Sequence, residues 1–343
     1  MLIRLSRLAR RPWARSALLA VVLGCCGYRL HAQWPQVTSA LGRMHWYSVS
    51  LSVAAAIGGS VCMMLAWRAV LADLGSPLPA RIAGRINFTA QLGKYVPGAV
   101  WAFAAQVELG HDYEVPRRRS FASVVISLAV TVSVGLGLAL VTLPAASPDI
   151  ARHYWWALAV LPLIIAALCP PALGILLDRL LAVLHRPGLE RRPSAAGLAR
   201  AVAWNLAGWL LLGLQVWLLL PGIAGLRGRM LLLCIGGYAL AFSAGLLLVV
   251  LPSGIGARDL ILIAALATLL PYGSASAVAI MTRVGTTVTD LTLGAAGVAL
   301  GRRAFRAAGA GHPGGAEPAC QEPEQLLPGL VPAPAEVPAV NGP

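Results

Sequence analysis

Apolar runs of about twenty residues, parted by short basic or Gly/Pro-bearing stretches, recur along the chain as far as about residue 303. A helix needs roughly twenty such residues to cross the hydrocarbon core of a bilayer. Spans are therefore predicted at 47–70, 120–143, 154–176, 201–221 and 230–251, and as a pair at about 260–271 and 276–300. One more precedes them: after Arg4, Arg7, Arg10, Arg11 and Arg15 the chain runs apolar from Ser16 to about Leu30. A basic start and a short apolar stretch also describe a secretory signal. Here, however, Tyr28, Arg29, Leu30 and His31 occupy the place of the small residues a cleavage site needs, so a retained first helix is expected. The stretch 260–271 is short for a crossing and reads as a half-helix of a broken segment. Region 86–108 is also apolar but is cut by Lys94, Pro97 and Gly98, which predicts a re-entrant hairpin or two short membrane helices. The predicted fold class is all-α: a polytopic membrane helical bundle of about eight transmembrane helices with two Pro/Gly-broken segments.

Composition agrees. The chain is 58% hydrophobic and 12% charged, with a mean hydropathy of +0.75, whereas soluble domains are about half apolar and about a quarter charged. Too little polar surface remains to coat a water-soluble globule. The net charge of +14 would suggest nucleic acid in a soluble protein, but the arginines lie scattered on short loops between apolar runs. They read as topology signals and contacts to anionic headgroups, and no nucleic-acid partner is expected.

Basic residues fix the expected orientation. With the N-terminus inside, cytoplasmic stretches hold the first five arginines, Arg68, Arg81, Arg85, Arg117 to Arg119, Arg179, Arg186, Arg191, Arg192, Arg200, Arg302, Arg303 and Arg306. Only Arg29, Arg43, Arg152, Arg227 and Arg229 fall outside. Both termini are thus expected on the cytoplasmic side of the membrane, and the 86–108 element should enter and leave from that side. Trp46-Tyr47 and Tyr154-Trp155-Trp156 stand where spans meet the outer face, as interfacial aromatics do. The expected division is a basic N-terminus at 1–15, a membrane domain at 16–303 and a tail at 304–343. Residues 307–343 carry eight prolines, four glutamates and no basic residue, a composition that predicts disorder.

The six cysteines form no C-x-x-C or Cys/His pattern, so neither a disulfide framework nor a zinc site is expected. There is no H-E-x-x-H, Walker motif or G-x-S-x-G. No enzyme activity, cofactor or metal is expected.

The chemistry concentrates in two polar interruptions of membrane segments. One is Lys94-Tyr95-Val96-Pro97-Gly98-Ala99-Val100-Trp101, preceded by Asn87 through Gly93; the other is Pro252-Ser253-Gly254-Ile255-Gly256-Ala257-Arg258-Asp259. Proline removes a backbone donor and glycine permits the angles needed to reverse or restart a helix. Backbone freed in this way must be buried in protein or line a wet cavity. A helix restarting there presents unpaired amides and a partial positive charge, which suit an anion. A charged side chain in a membrane helix costs roughly 2.5–3.5 kcal/mol on insertion scales, so Lys94, Arg258, Arg283, Asp259 and Asp290 call for a reason. Arg283, Thr286, Thr287 and Asp290 share one helix face by their spacing. The expected network pairs Arg258 with Asp259 and Arg283 with Asp290, leaving Lys94 unpaired and the site net positive. Paired broken segments are a sequence pointer to a transport site.

These two motifs resemble those of the lysylphosphatidylglycerol synthase transmembrane region family of flippase-like domain proteins. The first matches its basic-Tyr-hydrophobic-Pro-Gly-x-Val-Trp pattern, and the second is similar to its Pro-Gly-Gly-x-Gly-x-Arg-Glu pattern. Arg283 falls where the family also tends to carry arginine. The resemblance spans about residues 10–305. Ala99, Ser253 and Asp259 depart from it, standing for a basic residue, a glycine and a glutamate. The resemblance implies translocation of a charged or glycosylated lipid from the inner to the outer leaflet of a bacterial inner membrane. No aminoacyltransferase domain follows in this chain, so making that lipid would fall to a separate enzyme.

The leading expectation is a flippase for an anionic or modified lipid, whose headgroup meets Lys94, Tyr95, Pro97, Gly98, Trp101, Gly254, Gly256, Arg258, Asp259, Arg283 and Asp290. Lys94, Arg258 and Arg283 supply charge, Asp259 and Asp290 hold the arginines, and Tyr95 and Trp101 pack the headgroup. Two other readings stay open: a non-transporting membrane scaffold of a lipid or polysaccharide assembly system, and a secondary transporter of a small solute. Membrane lipids are the expected partners, and the sequence leaves the oligomeric state undetermined.

Overall fold

A computed structural model describes residues 34–95, 101–183, 191–220, 228–247 and 256–310, and these fold as helices joined by short turns. The expected first helix at 16–30 and the tail beyond 310 lie outside the described residues. The chain divides into two units, residues 1–301 and 302–343.

Helix α1 (Trp34–Gly42) leads into α2 (Trp46–Asp73), a span of 28 residues. Next come α3 (Ala80–Gln91), a 3-10 turn over Leu92–Tyr95, and α4 (Trp101–His111). The second long span is α5 (Arg117–Ala146). A broken region follows: α6 (Pro148–Tyr154), a 3-10 stretch over Trp155–Val160, α7 (Leu161–Ala167) and α8 (Pro170–Val183). The chain then forms α9 (Ala195–Trp217), α10 (Gly228–Leu247), α11 (Ala257–Leu266) and α12 (Tyr272–Ala310).

Four helices, α2, α5, α9 and α10, are long and apolar enough to cross a membrane, and the bent segment Trp155–Arg179 makes a fifth if counted as one span. The predicted span at 154–176 is a bent segment. Its axis turns by 75° between Trp155–Ala167 and Pro170–Arg179. Pro170 and Pro171 lack the amide hydrogens that would carry the helix through, and their rings clash with the preceding turn. Helix α12 is longer than any of the four, but Arg283, Asp290 and its threonines lower its hydropathy.

Small residues set the spacing of the bundle, as in membrane interfaces generally. A Cβ on Gly59 of α2 would lie 2.7 Å from Leu212 Cγ and 3.2 Å from the Gly208 carbonyl oxygen, both on α9. A Cβ on Gly213 of α9 would lie 2.5 Å from the Cα of Ile235 on α10, so those two backbones touch. Helix α2 runs antiparallel to α9: Ser52 donates to the Gln215 carbonyl (3.0 Å) near one end, and Asp73 accepts from the Ser194 amide and hydroxyl (2.6 Å each) at the other. Ser194 in turn caps α9 by accepting from the Gly197 amide at 3.0 Å. Between α5 and α9, Thr131 donates to Asn205 Oδ1 (2.8 Å) and Trp209 Nε1 donates to the Thr131 carbonyl (3.2 Å). The largest buried cluster gathers Trp209, Val216, Leu233, Cys234, Tyr238, Leu262 and Leu266 where α9, α10 and α11 meet.

The two ends of the bundle differ. At the end where α2 stops and α3, α5 and α9 start, arginines fasten the turns. Arg68 Nε donates to the Leu78 carbonyl at 2.7 Å, Arg119 Nη1 to the Gly75 carbonyl at 3.3 Å, and Arg85 bonds the Tyr113 hydroxyl. Arg117 pairs with Glu108 at 2.5 Å. At the other end, where α2 starts and α5 stops, Trp46, Tyr47, Trp155 and Trp156 are exposed.

Candidate functional site

Two hairpins carry the two sequence motifs, and they enter the bundle from opposite ends. The first leaves the arginine-rich end as α3, turns through Leu92–Tyr95 and returns as α4. Gly93 allows its arms to close, since a Cβ there would lie 3.1 Å from both the Cα and the amide nitrogen of Ala102. The ascending arm docks on α12. A Cβ on Gly294 would lie 2.6 Å from Leu92 Cδ2, and one on Gly297 3.0 Å from Thr89 Oγ1. Two short helices thus replace one crossing, as the cut at 94–98 predicts. Val96 to Val100, including Pro97 and Gly98, lie outside the described residues.

The second hairpin is α10 followed by α11, which begins beside the middle of α10 and runs back along it. Leu262, Leu266 and Leu270 pack with Met230 and Leu233 at the end where α10 started. Helix α11 spans ten residues, the half-helix expected after this break. Gly256 is its N-cap with φ of +89°, a left-handed conformation open to glycine and costly for other residues. Gly254 lies outside the described residues, as do Pro252 and Ser253.

Side-chain pairing differs from the expected network in three places. Lys94 is paired: its Nζ stands 2.6 Å from Asp290 Oδ2. The Tyr95 hydroxyl donates to the same oxygen at 2.8 Å, with Thr287 also within its hydrogen-bonding reach. Asp290 therefore joins the tip of the first hairpin to α12 instead of holding Arg283, which lies two turns away along its own helix. Arg258 does not pair with Asp259. It bonds the buried Tyr238 hydroxyl, and its guanidinium lies 4.7 Å from the Tyr238 ring centroid and 4.9 Å from that of Phe242. Asp259, at the third position of α11, turns back and accepts, at a long 3.5 Å, from the Gly256 amide. That geometry uses the carboxylate at the positive end of its own helix.

The two motifs nevertheless lie within electrostatic range of one another. The charges of both Arg258 and Arg283 bear on the Lys94 ammonium, and those of Arg258, Arg283 and Asp290 bear on Tyr238. Three cations from three elements and the carboxylate of Asp290 thus share one electrostatic neighbourhood. Tyr95 serves there as a hydrogen-bond donor to Asp290, not as a packing face alone. Trp101 opens α4 with 58% of its surface exposed.

Tyr238 and Phe242 were not among the residues singled out from the sequence. Their signal is an aromatic pair at i, i+4 on one face of an apolar span, which puts both rings on the same stripe. Trp209 packs edge-on against both. Among the described residues no group of three or more His, Cys, Asp and Glu could hold a metal ion.

A helical bundle with several apolar spans and charged hairpin tips defines a multi-pass membrane protein. The chain belongs to the lysylphosphatidylglycerol synthase transmembrane region family, whose profile matches residues 13–294. The match takes in both hairpins and closes just beyond Asp290. No individual curated protein matches the chain.

Proposed function

We propose that this protein moves a lipid with an anionic or modified headgroup between the leaflets of a bacterial inner membrane, with both termini cytoplasmic and without enzymatic chemistry of its own. One observation carries this reading. Lys94 on a hairpin from one end of the bundle, Arg258 on a half-helix from the other, and Arg283 on α12 lie within electrostatic range of one another. Such cations are costly inside a membrane unless they serve a substrate or each other, and broken segments meeting from two sides are how transporters build a midplane site. A headgroup phosphate suits this charge, and its acyl chains can stay in lipid while it crosses. A membrane potential acting on the headgroup contributes about 2.3 kcal/mol per charge per 100 mV.

The test is leaflet exchange of a fluorescent anionic phospholipid in vesicles carrying the purified full chain. Wild type should accelerate exchange over protein-free vesicles, and Arg258→Ala should slow it at least about tenfold, the equivalent of about 1.4 kcal/mol. Equal rates for wild type and variant would remove the site from transport and favour a scaffold that anchors a separate lipid-synthesising enzyme. Uptake of a soluble solute in place of lipid exchange would favour a secondary transporter.

A further inference from the structure

Arg258 has a support that neither sequence motif contains. It stands on α11, but the groups that hold it belong to α10: the Tyr238 hydroxyl, the Tyr238 ring centroid at 4.7 Å and the Phe242 ring centroid at 4.9 Å. Those two rings stack with centroids 6.5 Å apart and planes inclined by 30°. A cation is drawn to the face of a ring and not to its edge, so the planes of Tyr238 and Phe242 set where the guanidinium stands.

Trp209 of α9 fixes those planes. It is fully buried and meets both rings edge-on, at 5.3 Å and 79° to Phe242 and at 6.3 Å and 67° to Tyr238. Such contacts set a positive ring edge against a negative face, which makes them directional. The indole is itself pinned from α5. Its Nε1 donates to the Thr131 carbonyl at 3.2 Å, and the Thr131 hydroxyl donates at 2.8 Å to Asn205, one turn from Trp209 on α9. Gly135, one turn past Thr131, leaves the room for this: a Cβ there would lie 2.8 Å from Trp209 Cζ2 and 2.6 Å from Ser243 Oγ. Without a side chain at that position the two helices approach closely enough for the indole to reach the carbonyl. A phenylalanine at 209 would fill much of the same space but would lack the N–H that stops the ring from turning.

We propose that Trp209 is a positioning residue: through Tyr238 and Phe242 it holds the Arg258 guanidinium in place for a headgroup, an inference that rests on the lipid-translocation reading. The hold runs from α5 through α9 and α10 to α11, so four helices share in placing one charge. A group fixed by packing and by the hydrogen bonds behind it meets its ligand without first having to be ordered.

Two readouts test this on the purified full chain. The first needs no transport: modification of arginines by phenylglyoxal in detergent, followed residue by residue by mass spectrometry. Arg85 is the reference, since it too bonds a tyrosine hydroxyl, that of Tyr113, and lies 5.6 Å from its ring centroid. Trp209→Phe should raise the modification rate of Arg258 by about two- to tenfold, the range that losing a directed ring contact allows. The rate at Arg85 should not change. Gly135→Ala, which displaces the indole from the α5 side, should reproduce the effect. An Arg258 rate unchanged in both variants would overturn the positioning role, and so would an equal rise at Arg85, the mark of a bundle loosened throughout. The second readout is exchange of fluorescent phosphatidylglycerol in vesicles. Trp209→Phe should slow it in the wild-type background and change nothing further once Arg258→Ala is present. Equal slowing in both backgrounds would overturn the route through Arg258. Wild-type exchange no faster than in protein-free vesicles would overturn translocation, and the Arg258 modification rates would still decide what Trp209 does.

Discussion

Asp290 is the residue on which the first hairpin depends. Its carboxylate meets an ammonium and a phenol, with the Lys94 and Asp290 side chains 34% and 16% exposed. A pair this open to solvent is partly screened, which reduces its value, yet removing one partner leaves the other charged in a largely apolar setting. Asp290→Leu and Lys94→Met should therefore each lower the unfolding midpoint in detergent micelles. The double variant should be less destabilised than the two losses added together, with a coupling of about 1 kcal/mol or more. Additive losses would show that the pair contributes nothing beyond its separate parts. The pairing itself was hidden in the sequence. Arg283 and Asp290 advertise a helical face by their spacing, whereas Lys94 lies 196 positions from Asp290 and reaches it only because α3 docks on α12 through Gly294 and Gly297.

At the scale of elements, glycines decide which helices touch. The α9–α10 contact at Gly213 is closed against the backbone of Ile235, not against a flexible side-chain end. Gly213→Ala should overpack it and destabilise the bundle by about 1–3 kcal/mol, read as a lowered midpoint with the helical content kept. Gly42, whose added Cβ would meet nothing within 4 Å, serves as the control, and Gly42→Ala should change little. The elements were legible in the sequence where hydropathy and chain breaks agreed. The long spans at 47–70 and 120–143 fall inside α2 and α5, 201–221 overlaps α9 as far as Trp217, and the half-helix after Gly256 was readable from its length. The bend inside 154–176 was not legible because a hydropathy window averages over Pro170 and Pro171 and does not register that both interrupt the helix. The aromatic hold on Arg258 was missed for another reason: the nearest acid in sequence, Asp259, suggested a local ion pair, while the helix cap used that acid and burial supplied Tyr238 from another helix.

At the scale of the whole molecule, the two hairpins give the bundle an approximate reciprocity. Each carries a basic tip toward the interior, one from the arginine-rich end and one from the aromatic end. This arrangement makes a claim about sidedness that can be measured. Ala80, at the start of α3, and Thr268, just past α11, are both exposed and sit at the outer limits of the two hairpins. Arginine-rich loops are retained on the cytoplasmic side, so a cysteine replacing Ala80 should react with a membrane-impermeant maleimide only after the membrane is opened. One replacing Thr268 should react in intact cells. Both variants are made after replacing the six native cysteines with serine, and each is probed alone. Labelling of both from the same side would mean that the hairpins do not oppose each other across the bilayer. The shared neighbourhood of Lys94, Arg258 and Arg283 would then open to one leaflet, and a lipid entering it would have no route to the other.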